Sequence, residues 1–235
     1  MSAGMALVLS SGGLNSCVLT ALARQEYRLA MLHAEFDHRS ARCESECFQA
    51  QEERFQPAET LTVQLPHLRQ IRGNARVDKN LAIEDSQELR SGGCNSFVAG
   101  LIPTLLGVAQ SWAAAVGASV IMIGVSEDLA GPGPATKELY PDHRAEFFHL
   151  YAQTLHYATL ARCPLRLETP LLFMTRGEII RLGQRLGAPL AATWSCLRNE
   201  DQPCGTCYGC TSRARGFAAA GIADPQLTLS AGHSR

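Results

Sequence analysis

A chain of 235 residues with a formal charge of -1 is long enough to bury one substantial core, and its near-neutrality removes the broad positive footprint of a dedicated nucleic-acid binder. Hydrophobic residues at 46% against 18% charged suit a folded globular protein and exclude a disordered one. No apolar run is both long and unbroken enough to cross a bilayer; the nearest, Val108 to Val125, is interrupted by Gln110, Ser111, Trp112, Gly117 and Ser119. Met1 to Leu9 lacks the charged start, long apolar stretch and cleavage site of a secretory leader, so a reducing, cytoplasmic setting is expected.

Taken in chain order, Met5 to Leu9 reads as a short buried strand that ends abruptly in Ser10-Ser11-Gly12-Gly13. Cys17, Val18, Ala21 and Leu22 then recur at helical spacing, predicting a helix over Asn15 to Gln25. Leu29 to Phe36 follows as a strand, Ala41 to Phe55 as a helix and Glu59 to Leu65 as a third strand. From Arg69 to Gly93 the pattern is polar and aperiodic, which predicts a mobile loop near a ligand site. Arg69, Arg72 and Arg76 fall at near-helical spacing and read as a solvated face. Leu101 to Val116 is a long apolar helix with Pro103 in its first turn, Val120 to Val125 a fourth strand and Glu146 to Ala161 a helix. Leu165 to Thr169 and Thr175 to Leu186 complete the series as strand and helix. Strands alternating with helices predict an α/β fold, a Rossmann-like parallel five-stranded sheet with helices on both faces, and place ligands beyond the carboxyl ends of the strands.

Two motifs carry chemistry. Ser11 to Ser16, S-G-G-L-N-S, offers two glycine amides, hydroxyls and a helix start, a nest suited to an anion such as pyrophosphate; an ordinary tight turn between strand and helix has the same composition. It differs from G-x4-G-K-[ST] because no lysine follows, and from G-x-G-x-x-G because its glycines are adjacent. Cys196, Cys204, Cys207 and Cys210 read C-x7-C-x2-C-x2-C, which can bring four thiolates to one tetrahedral ion, zinc by preference. Disulfides are disfavoured by the reducing setting. The remaining five cysteines, Cys17, Cys43, Cys47, Cys94 and Cys163, read as small buried hydrophobes. Trp194 is expected to pack against the cysteine turn.

The loop resembles the S-G-G-x-D-S loop of the ATP-pyrophosphatase (PP-loop) family, and Thr193 to Cys210, T-W-S-C-x7-C-x2-C-x2-C, resembles the zinc module of the 7-cyano-7-deazaguanine synthases within it. Tyr140 to Phe147, Y-P-D-H-R-A-E-F, is similar to that family's Y-P-D-C-R-P-E-F, and Thr169 to Ile179 to its P-L-x-x-x-T-K-x-E-I element. The resemblance implies a PP-loop domain over 1–190 and a zinc module over 191–216; the C-terminal tail over 217–235 mixes small and polar residues and is expected to be partly ordered at most. The resemblance also implies ATP-driven conversion of 7-carboxy-7-deazaguanine, with ammonia, to the nitrile, and Zn²⁺, ATP and Mg²⁺ as cofactors. Leu9, Ser11, Gly12, Gly13, Leu14, Asn15 and Ser16 would hold ATP, with Asn15, Ser16 and Arg176 serving catalysis. Asp142, Arg144 and Phe147 would meet the deazaguanine. A homodimer is suggested too.

Several positions depart from that pattern. Asn15 stands in place of aspartate and should weaken Mg²⁺ binding; Arg176 stands in place of lysine; Phe97 to Ile102 stands where the family reads Y-V-P-G-R-N. Asp37-His38-Arg39 matches its F-D-Y-G-Q-R-H element only in part, and Ala130 to Leu139 reads as an insertion. These differences leave three readings open: a conventional synthase, a relative that passes the activated carboxylate to another amine such as a protein in antiphage defence, and a nucleotide-binding scaffold.

Overall fold

The structure, a computed structural model, describes residues 4–128, 133–161 and 163–226. Five strands, β1 (Met5–Leu9), β2 (Arg28–Glu35), β3 (Glu59–Gln64), β4 (Val120–Ile123) and β5 (Arg166–Glu168), form one parallel sheet in the order β3-β2-β1-β4-β5. Central β1 is buried at every position, as a strand covered on both faces requires, and its Leu7 sits between Ala30 and Ile121. Alternation sorts the sheet's side chains into two cores. Ala6, Val8, Met31, Val120 and Met122 pack with residues of α1 (Leu14–Ala23), α7 (Arg176–Arg185) and α8 (Tyr208–Ala220). Leu7, Leu9, Ala30, Leu32, Ile121 and Ile123 pack with α4 (Leu101–Val116) and α6 (Ala145–Tyr157) on the opposite face.

The chain leaves β1 toward β2 and β3 on one side and later adds β4 and β5 on the other, so the carboxyl ends of β1 and β4 flank a point where the connections diverge and a crevice opens. Gly124 lets β4 approach this point closely. A Cβ there would lie 3.0 Å from the Asn15 carbonyl and the Ser16 nitrogen.

Some expected elements change at their edges. β4 stops at Ile123 and β5 spans only Arg166–Glu168, while α6 ends at Tyr157 and the Thr159 hydroxyl turns back onto the Leu155 carbonyl at 2.7 Å. Thr175 is the cap of α7: its hydroxyl accepts from the Glu178 amide, and Glu178 returns to the Thr175 amide. Within the expected insertion, 130–132 lie outside the described residues and Thr136–Leu139 forms the short helix α5. Cys163 is exposed, so the expectation that it is buried is corrected.

The segment from Arg69 to Gly93 also differs from the expected mobile loop. It is irregular apart from the end of α3 (His67–Ile71), yet it is tied down along its length. Arg39 reaches the carbonyls of Ala75 and Leu81 at 2.8 Å, Arg198 binds the Ile83 carbonyl at 2.6 Å and the Asp85 carboxylate at 2.9 Å, and Asp85 bridges to Cys207. Side chains supply the order that hydrophobic periodicity does not record.

Helix α8 continues four residues beyond the expected end of the cysteine module and buries Phe217 against the sheet. Arg213, 5% exposed in its side chain, forks onto Asp224 with contacts of 2.7 and 2.8 Å, donates to the Thr193 hydroxyl at 2.8 Å and covers the Phe217 ring. Residues 227–235 of the expected tail lie outside the described residues. Truncating one partner of a buried ion pair strands the other charge, so Asp224→Ala is expected to lower the unfolding free energy by about 3–5 kcal/mol. Urea denaturation followed by circular dichroism checks this, and an unchanged midpoint would refute it.

Candidate functional site

The loop after β1 builds itself from its own hydroxyls. Ser16 Oγ accepts from the Ser11 amide at 3.2 Å and donates to the Gly13 carbonyl at 3.1 Å, while Ser11 Oγ accepts from the Gly13 amide at 3.2 Å. The Gly13 N–H is therefore spent inside the loop. Gly12 has φ +76, and a Cβ there would lie 2.1 Å from the Glu44 carbonyl oxygen, so glycine is required by the approach of α2 (Ala41–Phe55) as well as by its backbone angle. Gly13 is the N-cap of α1 and no side chain caps the helix, so the amides of the first turn keep their capacity to bind an anion.

A cavity of about 330 Å³ opens over this helix start, at the switch point of the sheet. Leu9, Ser11, Gly13, Leu14, Asn15 and Ser16 line it; Gly12 does not. Arg176, at the first residue of α7, enters from the other side and its Nη1 meets Asn15 Oδ1 at 2.5 Å. That contact depends on Gly216 of α8, where a Cβ would lie 2.2 Å from Arg176 Cγ. One wall is apolar, formed by Phe97, Val98, Leu101 and Ile102 with Leu105.

Of the three residues expected at the heterocycle, Asp142 lines the cavity, whereas Arg144 and Phe147 do not. Arg144 is exposed and donates to the Lys137 carbonyl at 3.2 Å, and Phe147 packs into the α4/α6 core beside Phe148 and Tyr151. Asp142 is 9% exposed, and burial pushes its carboxyl up to about 6. Its neighbour His143, unremarked in the sequence, also lines the cavity. Burial, with a smaller contribution from the charge of Arg176 and against a hydrogen bond with the Ser126 backbone, holds this imidazole down at about 4, so it is neutral at pH 7. Glu127 positions this segment by accepting from the Ala145 amide and from Lys137, both at 2.8 Å.

Glu44 is a further residue that sequence reasoning missed, since it is only one polar position on an amphipathic helix. It lines the cavity and is gripped by His38 Nε2 at 2.9 Å, Arg76 Nη2 at 3.1 Å and the Ser40 hydroxyl at 2.7 Å. Burial alone would raise this carboxyl; its nearness to His38 and Arg76, with a hydrogen bond from Ser40, overrules it and holds it at about 2. Arg76 accordingly leaves the solvated face expected for it.

The four cysteines of the C-terminal motif come together, every sulfur within 4.8 Å of the others, and Cys204 and Cys210 lie 3.9 Å apart. A tetrahedral ion with metal–sulfur bonds of about 2.3 Å needs sulfurs about 3.8 Å apart, so the donor set fits one ion. The amides of Arg198, Asn199 and Cys204 converge on Cys196 Sγ at 3.4 Å and that of Cys207 on Cys204 Sγ at 3.3 Å, the surroundings a thiolate wants. No disulfide joins any of the nine cysteines in this structure. Trp194 packs in this cluster as expected, with Nε1 on the Cys196 carbonyl at 2.9 Å. Ser195, Leu197 and Gly209 of the same turn also wall the cavity.

An uncapped helix start opening into a cavity at the switch point of a parallel sheet defines the class: a Rossmann-like α/β protein of the PP-loop kind, with a four-cysteine cluster able to hold an ion set against it. The family model described as queuosine biosynthesis protein QueC matches residues 5–221, and the chain belongs to that family. It is 38% identical over 227 residues to a 7-cyano-7-deazaguanine synthase of Koribacter versatilis, covering 94% of this chain and 92% of the relative. It is 33% identical over 222 residues to that of Chlorobium luteolum, covering 94% of each. Among solved structures, the NMN synthetase from Francisella tularensis aligns with a TM-score of 0.47 at 14% identity, covering 97% of this chain and 82% of that one. No helix among the described residues is long and apolar enough to cross a membrane.

Two outcomes check the site. Cys207→Ser is expected to lower both bound metal, read by elemental mass spectrometry, and the thermal midpoint, because such sites supply folding free energy through the ion; normal metal content would remove Cys207 from the ligand set. For Glu44, the folded carboxyl near 2 lies below its usual 4.5, so its stabilisation is present above pH 4.5 and is lost as pH falls from there toward 2. Glu44→Gln should therefore cost on the order of 2–3 kcal/mol at pH 7, with the difference from the parent protein vanishing as pH falls toward 2. Denaturant midpoints across that range measure it, and a difference independent of pH would overturn the assignment.

Proposed function

We propose that this protein is an ATP-dependent 7-cyano-7-deazaguanine synthase. The observation that carries the reading is that one family match runs without interruption from the anion-binding loop through the cysteine module, so the nucleotide end and the metal end belong to one enzyme type. A carboxylate is a poor electrophile because its leaving group would be oxide. Transfer of AMP from ATP to an oxygen of 7-carboxy-7-deazaguanine releases pyrophosphate and creates a competent leaving group. Ammonia then attacks the carbonyl carbon, AMP departs with that oxygen and a proton is lost, giving the amide. A second transfer of AMP to the amide oxygen releases another pyrophosphate, and loss of AMP together with both protons of the amide nitrogen leaves the nitrile.

In this reading the first-turn amides of α1 and the hydroxyls of Ser11 and Ser16 bind the phosphates, and Arg176 places positive charge where charge develops on the α-phosphate. Asp142 accepts from guanine-like N–H groups of the heterocycle; its buried carboxyl ionises more fully once those donors arrive. Arg144 and Phe147, which do not reach the cavity, act through the segment that carries Asp142. The neutral His143 can take a proton from the attacking amine. Mg²⁺, when bound, neutralises phosphate charge, and Asn15 offers it a neutral amide oxygen already approached by Arg176. The thiolates hold zinc as a structural ion that fixes the Trp194 to Gly209 wall. The protein works in the cytoplasm as a homodimer, on small molecules and without a nucleic-acid or membrane partner.

The Asn15–Arg176 contact and the apolar wall at Leu101 and Ile102 also favour a second reading, in which the activated carboxylate passes to another amine such as one on a protein. Incubation with ATP, Mg²⁺, 7-carboxy-7-deazaguanine and ammonium, followed by mass spectrometry, separates them. Nitrile is the expected product; a persistent adenylate or a protein adduct would favour conjugation, and unchanged ATP would overturn both in favour of a scaffold. Asn15→Asp restores a carboxylate beside the phosphates and should lower the Mg²⁺ concentration for half-maximal activity by about tenfold. An unchanged Mg²⁺ requirement would show that this position does not address the metal.

A further inference from the structure

We infer that Arg76 is a second anion-binding residue of the cavity, one that holds the diphosphate end of the nucleotide opposite the uncapped start of α1, with Glu44, His38 and Phe36 as its positioning residues. The inference rests on the ATP-cleaving reading above and deepens it.

Arg76 belongs to no helix or strand, and by sequence it has the look of a surface arginine. Its side chain is nevertheless only 16% exposed and is fixed from several sides. Nη2 lies 3.1 Å from Glu44 Oε1, and the guanidinium carbon sits 5.3 Å above the centre of the Phe36 ring. Phe36 in turn stacks on His38 at 4.1 Å, and His38 Nε2 returns to Glu44 Oε2 at 2.9 Å, closing a ring of four side chains. The backbone is held as well: Asn74 Oδ1 accepts from the amides of Arg76 and Val77, and the Arg76 carbonyl accepts from the Arg39 amide at 3.0 Å. A long side chain surrenders that much freedom only where its position matters.

The fork is not used up by these contacts. A guanidinium carries five N–H donors, and the hydrogen bond recorded for this one among the described residues is that from Nη2 to Glu44; Nε is buried with no acceptor. A buried donor without an acceptor is costly to keep, which points to a partner that arrives with the ligand. Arg76 and Glu44 both line the cavity. Their place within it is set by Gly12, where a Cβ would lie 2.1 Å from the Glu44 carbonyl and 3.2 Å from its Cα, so the residue that tethers Arg76 rests directly on the phosphate loop.

Charge supports the same partner. Arg76 and Arg176 are the arginines of the lining, with no lysine, and Arg176 is already drawn to Asn15. A nucleoside triphosphate brings several negative charges to one end, and a planar fork beside the loop matches phosphate oxygens in pairs. The terminal phosphates leave as pyrophosphate, so a cation there binds substrate and leaving group alike while making no contact with AMP.

The test compares affinities for inorganic pyrophosphate and for AMP, by isothermal titration, in the full-length metal-loaded protein and in its Arg76→Gln and Arg76→Lys variants, with metal content and thermal midpoint recorded for each. Arg76→Gln should weaken pyrophosphate binding about 10- to 100-fold, the loss of a charged hydrogen bond, and leave AMP within about twofold; Arg76→Lys should recover part of the loss. Unchanged pyrophosphate affinity in a folded Arg76→Gln protein would overturn the proposal, and so would equal weakening of AMP and pyrophosphate in both variants, the signature of a structural role. Where the glutamine variant does not fold, the lysine variant decides by the same ratio. Absence of pyrophosphate binding in the unsubstituted protein would instead remove the ATP-cleaving reading, and this proposal with it.

Discussion

The space between Gly12 and the first turn of α2 is too small for any side chain, and the site depends on that closeness. With a left-handed backbone at Gly12, the loop turns so that its carbonyl accepts from the Trp194 amide at 3.0 Å and from Gln51 Nε2 at 3.2 Å. One residue thereby joins three parts of the chain: the loop after β1, the helix that carries Glu44, and the strap that leads into the cysteines. Its glycine is needed for packing first. The access it gives to an anion follows from where the packing sets the α1 amides.

The cysteine module is thereby part of the cavity's construction. Trp194, Ser195, Leu197 and Gly209 wall the cavity, and a Cβ at Gly209 would lie 1.9 Å from the Ser195 carbonyl, so the two arms of the metal turn cross at contact distance beside the ligand space. The segment between Arg69 and Gly93 is held by the same turn through Arg198 and Asp85 and brings Arg76 into the cavity lining. The electrostatics divide as well: Glu44 is held ionised by Arg76 and His38 beside it, whereas at Asp142 and His143 burial opposes charge.

Much of the framework was legible in the chain. Apolar runs such as Met5–Leu9 and Val120–Ile123 are buried on both faces and can be little else than central parallel strands, and the short spacing of the four cysteines admits few geometries other than a shared ion. The S-G-G-L-N-S segment announces a strand-to-helix turn; its resemblance to the PP-loop, together with the more specific cysteine module, pointed to the family. The same reasoning failed for Arg76, Glu44 and His143. Arg76 lies in an aperiodic stretch, Glu44 on a helix with many acids and His143 in a short turn, and nothing in their neighbours' order marks them as inward-facing. It also set Arg144 and Phe147 at the ligand on motif position alone, where the fold turns one to solvent and the other into a core.

What the linear chain determined by itself was the alternation of strands and helices, the turn that exposes the α1 amides and the donor set for a metal, because each is a property of residues close together in sequence: periodicity, glycine at a fixed place, thiols a few positions apart. The tertiary structure alone decided which charges meet. Asn15 and Arg176 are 161 positions apart and Glu44 and Arg76 are 32 apart, and they touch only because the strand order brings the ends of β1 and β4 together and lays α2 on the loop. Side-chain pairing across such distances is fixed by packing of the whole core, and that information is spread over every residue that packs.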